Sequence, residues 1–149
     1  MNQQRKIQLT PDEQAAFLQE PHKAALATVD KDGFPHVVAM GFLAKDGALY
    51  MTSYAKAQKV VNIRRNPKVG VMIETGQSYA EFRGLMIRGH CEIISDRALV
   101  EMVIRAAREK QGNPVSPTEA INSAPKRVVL KITPEKIASW DHTKLGGRY

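Results

Sequence analysis

The sequence predicts a mainly β protein: a six-stranded antiparallel barrel with a few short helices packed outside it. Three observations carry this. Apolar runs of strand length recur along the 149 residues, and the stretches of helical spacing between them are few and short. Two of the intervals, Asp30-Lys31-Asp32-Gly33 and Lys45-Asp46-Gly47, end in Asp-Gly, the strongest short-range signal of a hairpin. The longest run, Phe82–Ser95, is interrupted by Gly84 and Gly89, as strands are where they bend or bulge at a barrel corner.

The elements follow in order. Thr10 with Glu13 forms a capping box, Pro11 suits a first helical position, and the short helix they open carries Ala16 and Phe17 and stops before Pro21. Ala24–Val29, His36–Leu43 and Leu49–Ser53 are apolar runs joined by the two turns, which reads as a three-stranded antiparallel meander. From Thr52 and Ser53 the chain enters a short basic helix that carries Lys56, Lys59, Arg64 and Arg65 and ends at Pro67. Val69–Ile73 is a fourth strand and the glycine-interrupted run a fifth. Asp96 caps a helix whose apolar positions Leu99, Met102, Val103 and Ala106 follow helical spacing, ended by Gly112-Asn113-Pro114. Ser116 with Glu119 is a second capping box, Val128–Ile132 the last strand, and Ser139–Tyr149 a polar tail. No linker or repeat divides the chain, so residues 1–149 are expected to form one domain.

Composition narrows the function classes. The hydrophobic share of 43% and the charged share of 25% are ordinary for a soluble globular protein. No window approaches the ~20 apolar residues of a membrane span. No apolar core follows Met-Asn-Gln-Gln-Arg-Lys, so a secretory signal is not expected. The single Cys91 excludes an internal disulfide and fits a reducing cytoplasm. The net charge of +7, 22 Lys and Arg against 15 Asp and Glu, favours an anionic partner. Nucleic acid is not the expected one: the basic residues are dispersed, and four Tyr with four Phe offer little for base stacking.

The densest chemistry lies in Ala48–Pro67. Hydroxyls of Thr52 and Ser53, unpaired amides of a helix start and the Lys59 ammonium would suit a phosphate. A helix capped by Ser53 with solvated lysines is equally compatible with these features. His36, after Pro35, stands at a strand start, either against a ligand or as a surface residue. His22, His90 and His142 are scattered, and no metal-ligand spacing is present, so no metal site is expected. Cys91 and His90 point to opposite faces of one strand, so Cys91 reads as a core thiol. No nucleophile elbow, P-loop or dinucleotide fingerprint occurs, and no catalytic side chain is assigned. The lone Trp140 either docks on the barrel or lines a ring-shaped ligand, with Lys144 and Arg148 near an anion.

Four segments carry a resemblance: A-L-A-T-V-D-K-D-G-F-P-H-V-V-A-M, L-Y-M-T-S-Y-A-K-A-Q-K-V-V-N-I-R-R-N-P-K-V-G-V, R-G-L-M-I-R-G-H-C-E-I and S-W-D-H-T-K-L-G. Together they resemble the flavin- and deazaflavin-dependent oxidoreductases of the FMN-binding split β-barrel superfamily, to which pyridoxamine 5′-phosphate oxidase belongs. The tail is similar to the branch that prefers 8-hydroxy-5-deazaflavin (coenzyme F-420) over FMN. The resemblance implies a homodimer with cofactor sites at the interface and hydride transfer between the bound ring and a small unsaturated substrate. A non-catalytic carrier of flavin, deazaflavin or haem is the alternative. It further implies ring contacts along Val37, Val38, Ala39 and Met40, phosphate contacts at Met51, Thr52 and Lys59, and a ring-closing role for Trp140 in the tail 139–149. His36 and Gln58 stand where pyridoxamine phosphate oxidases have arginine, and Ala57 where relatives often have serine. The first two departures weigh against FMN held as those enzymes hold it and against pyridoxamine phosphate as substrate; the third removes one phosphate hydroxyl. The basic run Lys56, Lys59, Arg64, Arg65 and Lys68 would suit the anionic tail of a deazaflavin coenzyme.

Overall fold

The computed structural model describes residues 2–148; Met1 and Tyr149, the first residue and the last of the expected tail, lie outside the described residues. Seven strands form one antiparallel sheet that curls into a split barrel, where the sequence predicts six. They are β1 (Ala24–Val29), β2 (Pro35–Met40), β3 (Leu43–Lys45), β4 (Ala48–Tyr54), β5 (Lys68–Thr75), β6 (Arg83–Ile94) and β7 (Arg127–Asp141). The helices are α1 (Gln3–Lys6), which the sequence reading does not anticipate, α2 (Pro11–Gln19), α3 (Gln58–Arg65), α4 (Arg97–Lys110) and α5 (Pro117–Ser123). Among the described residues, no helix is long and apolar enough to cross a membrane.

The extra strand comes from a break in the run expected as one strand over His36–Leu43. The chain leaves β2 after Met40, turns through Gly41 and Phe42, and resumes as β3. Phe42 is fully buried, so the break is where the chain drives a large ring into the core. The expected meander is therefore not formed. β2 pairs with β1, whereas β3 pairs with β4, and these hairpins stand at opposite edges of the order β2-β1-β5-β6-β7-β4-β3. The barrel is split between those two edges.

The last strand is also longer than predicted. β7 runs to Asp141 because β6 offers a partner along its whole length: Ile94 stands opposite Val129 and Arg83 opposite Asp141. Trp140 thus belongs to a strand rather than to a fraying tail. The two glycines of β6 differ in role. A register shift falls between Arg88 and Gly89, as a bulge requires, while Gly84 is where the Trp140 side chain passes over the backbone. Both capping boxes form, with Thr10 Oγ1 accepting from Glu13 N at 3.2 Å and Ser116 Oγ accepting from Glu119 N at 3.1 Å.

Two apolar clusters result. The barrel interior is filled by Leu26, Phe42, Met51, Val71, Leu85, Ile87 and Leu130, closed at one end by Val60 and Ile63 of α3. Outside, Val100, Val103 and Ile104 of α4 and Ala120 of α5 cover Val129 of β7, with Tyr50 and Ile94 packed against them. Helices α4 and α5 therefore shield the β7–β4–β3 part of the outer surface. The rest carries a row set by cross-strand register, Ala39–Ala25–Met72–Met86–Ala138. Met72 is 46% exposed, Met86 40% and the neighbouring Val37 61%.

Candidate functional site: an anion corner beside the barrel split

β4 ends at Tyr54, and α3 begins only at Gln58. This corrects the sequence reading, which starts the helix at Ser53. Ser53 lies inside β4, is buried, and its hydroxyl donates to the Tyr54 carbonyl at 3.1 Å, so it caps nothing. The N-cap is Ala57, which has no side-chain acceptor. The amides that open α3 are thereby left for another acceptor, and the helix dipole adds positive potential there. Lys59 is the second residue of α3.

A cleft of about 510 Å³ opens between the split and α4. Met40 and Gly41 from the β2 edge and Thr52 from β4 line it, with Ile104, Arg108 and Gln111 of α4 opposite. Lys23 and Arg127 complete its cationic lining, and no carboxylate side chain lines it. Arg127 is the first residue of β7 and pairs with Tyr54 at the end of β4. Its guanidinium carbon stands 4.2 Å from the Tyr54 ring centroid. Its Nε is buried and has no hydrogen-bond partner. Lys59 is close enough to feel it: burial, and then the Arg127 charge, lower the Lys59 pKa below its ordinary value. Among the described residues neither cation is joined to a carboxylate in an ion pair.

Behind the corner lies a polar relay. Asn62 is fully buried in α3; its amide donates to Thr28 Oγ1 at 3.0 Å and accepts from Gln58 Nε2 at 2.7 Å. Gln58 thus turns part of its amide inward. Thr28 on β1 stands opposite His36 on β2, and the His36 Nδ1 is buried without a partner. Buried polar nitrogens without a partner are rare in finished interiors, and each costs about 1–3 kcal/mol unless something else satisfies it.

The other positions singled out by sequence divide between faces. Along β2, Val37 and Ala39 are exposed on the outer face, while His36, Val38 and Met40 turn inward and are half-buried. Val38 and Met40 pack on the barrel core. The Met51 side chain is buried in that core, so only its backbone can meet a ligand. Lys56, Arg64, Arg65 and Lys68 are exposed; like the half-buried Lys59, they do not line the cleft. Trp140 lies apart from the corner. Its ring covers Gly84, its Nε1 donates to Glu74 Oε2 at 2.9 Å, and it lines a separate cavity of about 390 Å³ with Ile7, Leu9 and Ser139. Cys91 is buried in the core, and burial pushes its thiol up to about 12, which removes it as a nucleophile. No group of His, Cys, Asp and Glu among the described residues could hold a metal ion.

Arg127 is the site residue that sequence reasoning missed. The signal in the sequence is only Lys126-Arg127 ahead of an apolar run, and nothing local connects it to Lys59, 68 positions earlier in the chain.

A curled antiparallel sheet split at one corner defines a class, the split-barrel proteins; here two cations without carboxylate partners and open helix amides stand near the split. Residues 10–141 match the pyridoxamine 5′-phosphate oxidase family. The chain belongs to that family, in a branch whose relatives are named for deazaflavin chemistry. It is 28% identical over 128 residues, 85% of each chain, to a Mycobacterium tuberculosis protein described as a biliverdin reductase dependent on reduced F-420. The crystal structure of the conserved hypothetical protein Rv2991 of the same organism superposes with a TM-score of 0.89 at 32% identity, covering 97% of this chain and 92% of that one. A solved structure described as an F-420 reductase gives a TM-score of 0.66 at 28% identity, covering 82% of this chain and 93% of that one.

Proposed function

We propose that this protein is an oxidoreductase that holds coenzyme F-420 or FMN at the split and passes a hydride between its ring and a small unsaturated substrate. The observation that carries this is the anion corner. Two cations without carboxylate partners, the buried Arg127 Nε without an acceptor and uncapped helix amides meet at one edge of the barrel. A coenzyme phosphate supplies the missing charge and acceptors. The residues present therefore fit such a group. Lys59, Thr52 and the first amides of α3 would hold the phosphate, and the backbone of Val37 to Met40 would face the ring.

The bound ring supplies the two-electron chemistry, which is why the chain needs no nucleophile, metal or acid–base pair of its own. What the protein contributes is orientation along a rigid edge strand and exclusion of water. The F-420 chemistry named for the 28%-identical relative favours the deazaflavin, as does a cleft that continues past the corner with Lys23 and Arg108 in its lining. A diester coenzyme with further anionic groups would use that continuation, whereas FMN ends at its phosphate.

In this reading the protein works as a homodimer. The bare row of Ala39, Ala25, Met72, Met86 and Ala138 is apolar, is flanked by the exposed Val37, and adjoins the strand that would face the ring. A second copy seated there would cover the row and close the coenzyme from the open side. Trp140, on the same outer face one step along the register from Ala138, would then belong to the interface wall.

Titrating the apo protein with F-420 and with FMN, followed by absorbance and fluorescence, tests the reading. Replacing Lys59→Ala removes a charged hydrogen bond of about 1.5–3 kcal/mol, so affinity for the bound coenzyme is expected to fall about tenfold to a hundredfold. Unchanged affinity in that variant counts against the corner. Reoxidation of the reduced, bound ring by an unsaturated acceptor separates an enzyme from a carrier.

A further inference from the structure

We propose that Arg127 is the second cation of the coenzyme's anion site, holding one phosphate-type group jointly with Lys59, so that this pair sets the demand for a phosphate-bearing coenzyme. The inference rests on the functional reading above and deepens it, adding a residue to which the local sequence draws no attention.

Three features of the structure converge on it. The first is place. Pairing of Tyr54 with Arg127 sets the residue at the end of β4, where the chain turns toward α3, and Arg127 lines the same cleft as Thr52 and Met40. The second is preparation. Stacking on Tyr54 confines the guanidinium, so little freedom remains to be lost when an anion arrives. The buried Nε has no acceptor, although it belongs to the fork of donors with which arginine grips two oxygens at once. The third is charge. Folding brings Arg127 near Lys59 without a carboxylate to offset either one, which raises the energy of the empty corner. An anion removes that repulsion and supplies the absent acceptor together.

A purely structural role accounts for less. Stacking on Tyr54 would explain why the guanidinium stands over that ring. It would not explain a buried donor left unmet, nor a second cation placed within reach. A single carboxylate would satisfy one fork. A phosphate mono- or diester offers more oxygens, enough for the fork, the Lys59 ammonium, the Thr52 hydroxyl and the helix amides.

The experiment compares Arg127→Ala and Arg127→Lys with the unaltered protein, using matched ligands with and without phosphate: FMN against riboflavin, and F-420 against the deazaflavin nucleus lacking its phosphate. Arg127→Ala is expected to weaken the phosphate-bearing member of each bound pair about tenfold to a hundredfold and to leave the phosphate-free member unchanged. Arg127→Lys should recover part of the loss, since it restores charge without the fork. A second readout is independent of the coenzyme. With lysines reductively methylated with a carbon-13 label, NMR titration should show Lys59 protonating at higher pH in Arg127→Ala than in the unaltered protein. Inorganic pyrophosphate should move the Lys59 signal in the unaltered protein and not in the variant. Equal loss of riboflavin and FMN, or FMN and F-420 affinities unchanged by Arg127→Ala, overturns the proposal. If neither coenzyme binds the unaltered protein while pyrophosphate still moves Lys59 in an Arg127-dependent way, the anion pair stands and the coenzyme reading falls. If pyrophosphate moves nothing, the pair falls as well.

Discussion

Replacing Gly84→Ala should damage this protein although it adds only one methyl group. Gly84 on β6 lies beneath the Trp140 ring and beside the β5 backbone. A Cβ there would stand 2.5 Å from Trp140 Cζ2 and 2.6 Å from the Ile73 carbonyl oxygen. These two contacts yield differently. The ring can swing outward, at the expense of its 2.9 Å hydrogen bond to Glu74 and the cover it gives the strand. The carbonyl oxygen belongs to the β5–β6 ladder and moves only if the strands part. Overpacking of this kind costs about 1–3 kcal/mol, and losing a half-exposed hydrogen bond adds about 0.5, so about 2 kcal/mol is expected. For a chain of this length that lowers the melting temperature by about 4–8 °C at fixed protein concentration. Urea unfolding gives the cost. The fluorescence of the only tryptophan reports the same spot directly, with a red shift as the ring leaves Gly84. In a Trp140→Ala background the ring contact is gone and the carbonyl contact remains, so Gly84→Ala should cost about half as much there. An unchanged urea midpoint with unchanged emission refutes the packing argument. An equal cost in both backgrounds refutes the part assigned to the ring.

Three further outcomes follow from the same structure. Asn62→Ala leaves the Thr28 hydroxyl and the Gln58 amide without their buried partner and should cost about 2–3 kcal/mol in urea unfolding, whereas Asn62→Leu with Thr28→Val, which removes both ends of the inner bond, should cost less. Burial lowers the Lys110 ammonium to about 8, so between pH 8 and its unfolded value of 10.5 the unfolded chain holds more protons and stability rises with pH. The amine is half exposed and sits 3.5 Å from the Phe42 ring centroid, a contact that favours the charged form; the rise should therefore stay near 1 kcal/mol and vanish in Lys110→Met. Met72→Asp sets a charge in the middle of the apolar row and should yield monomers in sedimentation with the β-sheet circular dichroism retained; a dimer that survives it is built on some other face.

Much of the architecture was legible because it is written in local signals. Thr10 with Glu13 and Ser116 with Glu119 close capping boxes three residues apart. Asp-Gly turns mark hairpins, and Gly89 marks a bulge, each through the conformations that those side chains permit. The errors came where a choice depended on a distant partner. Nothing in His36–Leu43 signals that Phe42 is pulled inward and the strand cut at Gly41, since both halves are apolar. Nothing in Pro134 to Asp141 looks like a strand until β6 stands alongside to pair with it. Ser53 has the right side chain for a helix cap, but its strand continues to Tyr54 because β7 pairs with it that far.

By itself, the order of residues determined an antiparallel β fold, its two Asp-Gly turns, the capping boxes at Thr10 and Ser116 and the presence of a basic helix carrying Lys59, because each depends on neighbours a few positions apart. Only the tertiary structure decided which edges leave the barrel open, that Arg127 arrives near enough to Lys59 for its charge to act on it, that Trp140 stands away from both, and which sheet face is left bare. Those outcomes depend on strand order and register, which are chosen by burial of the whole core and act between residues tens of positions apart.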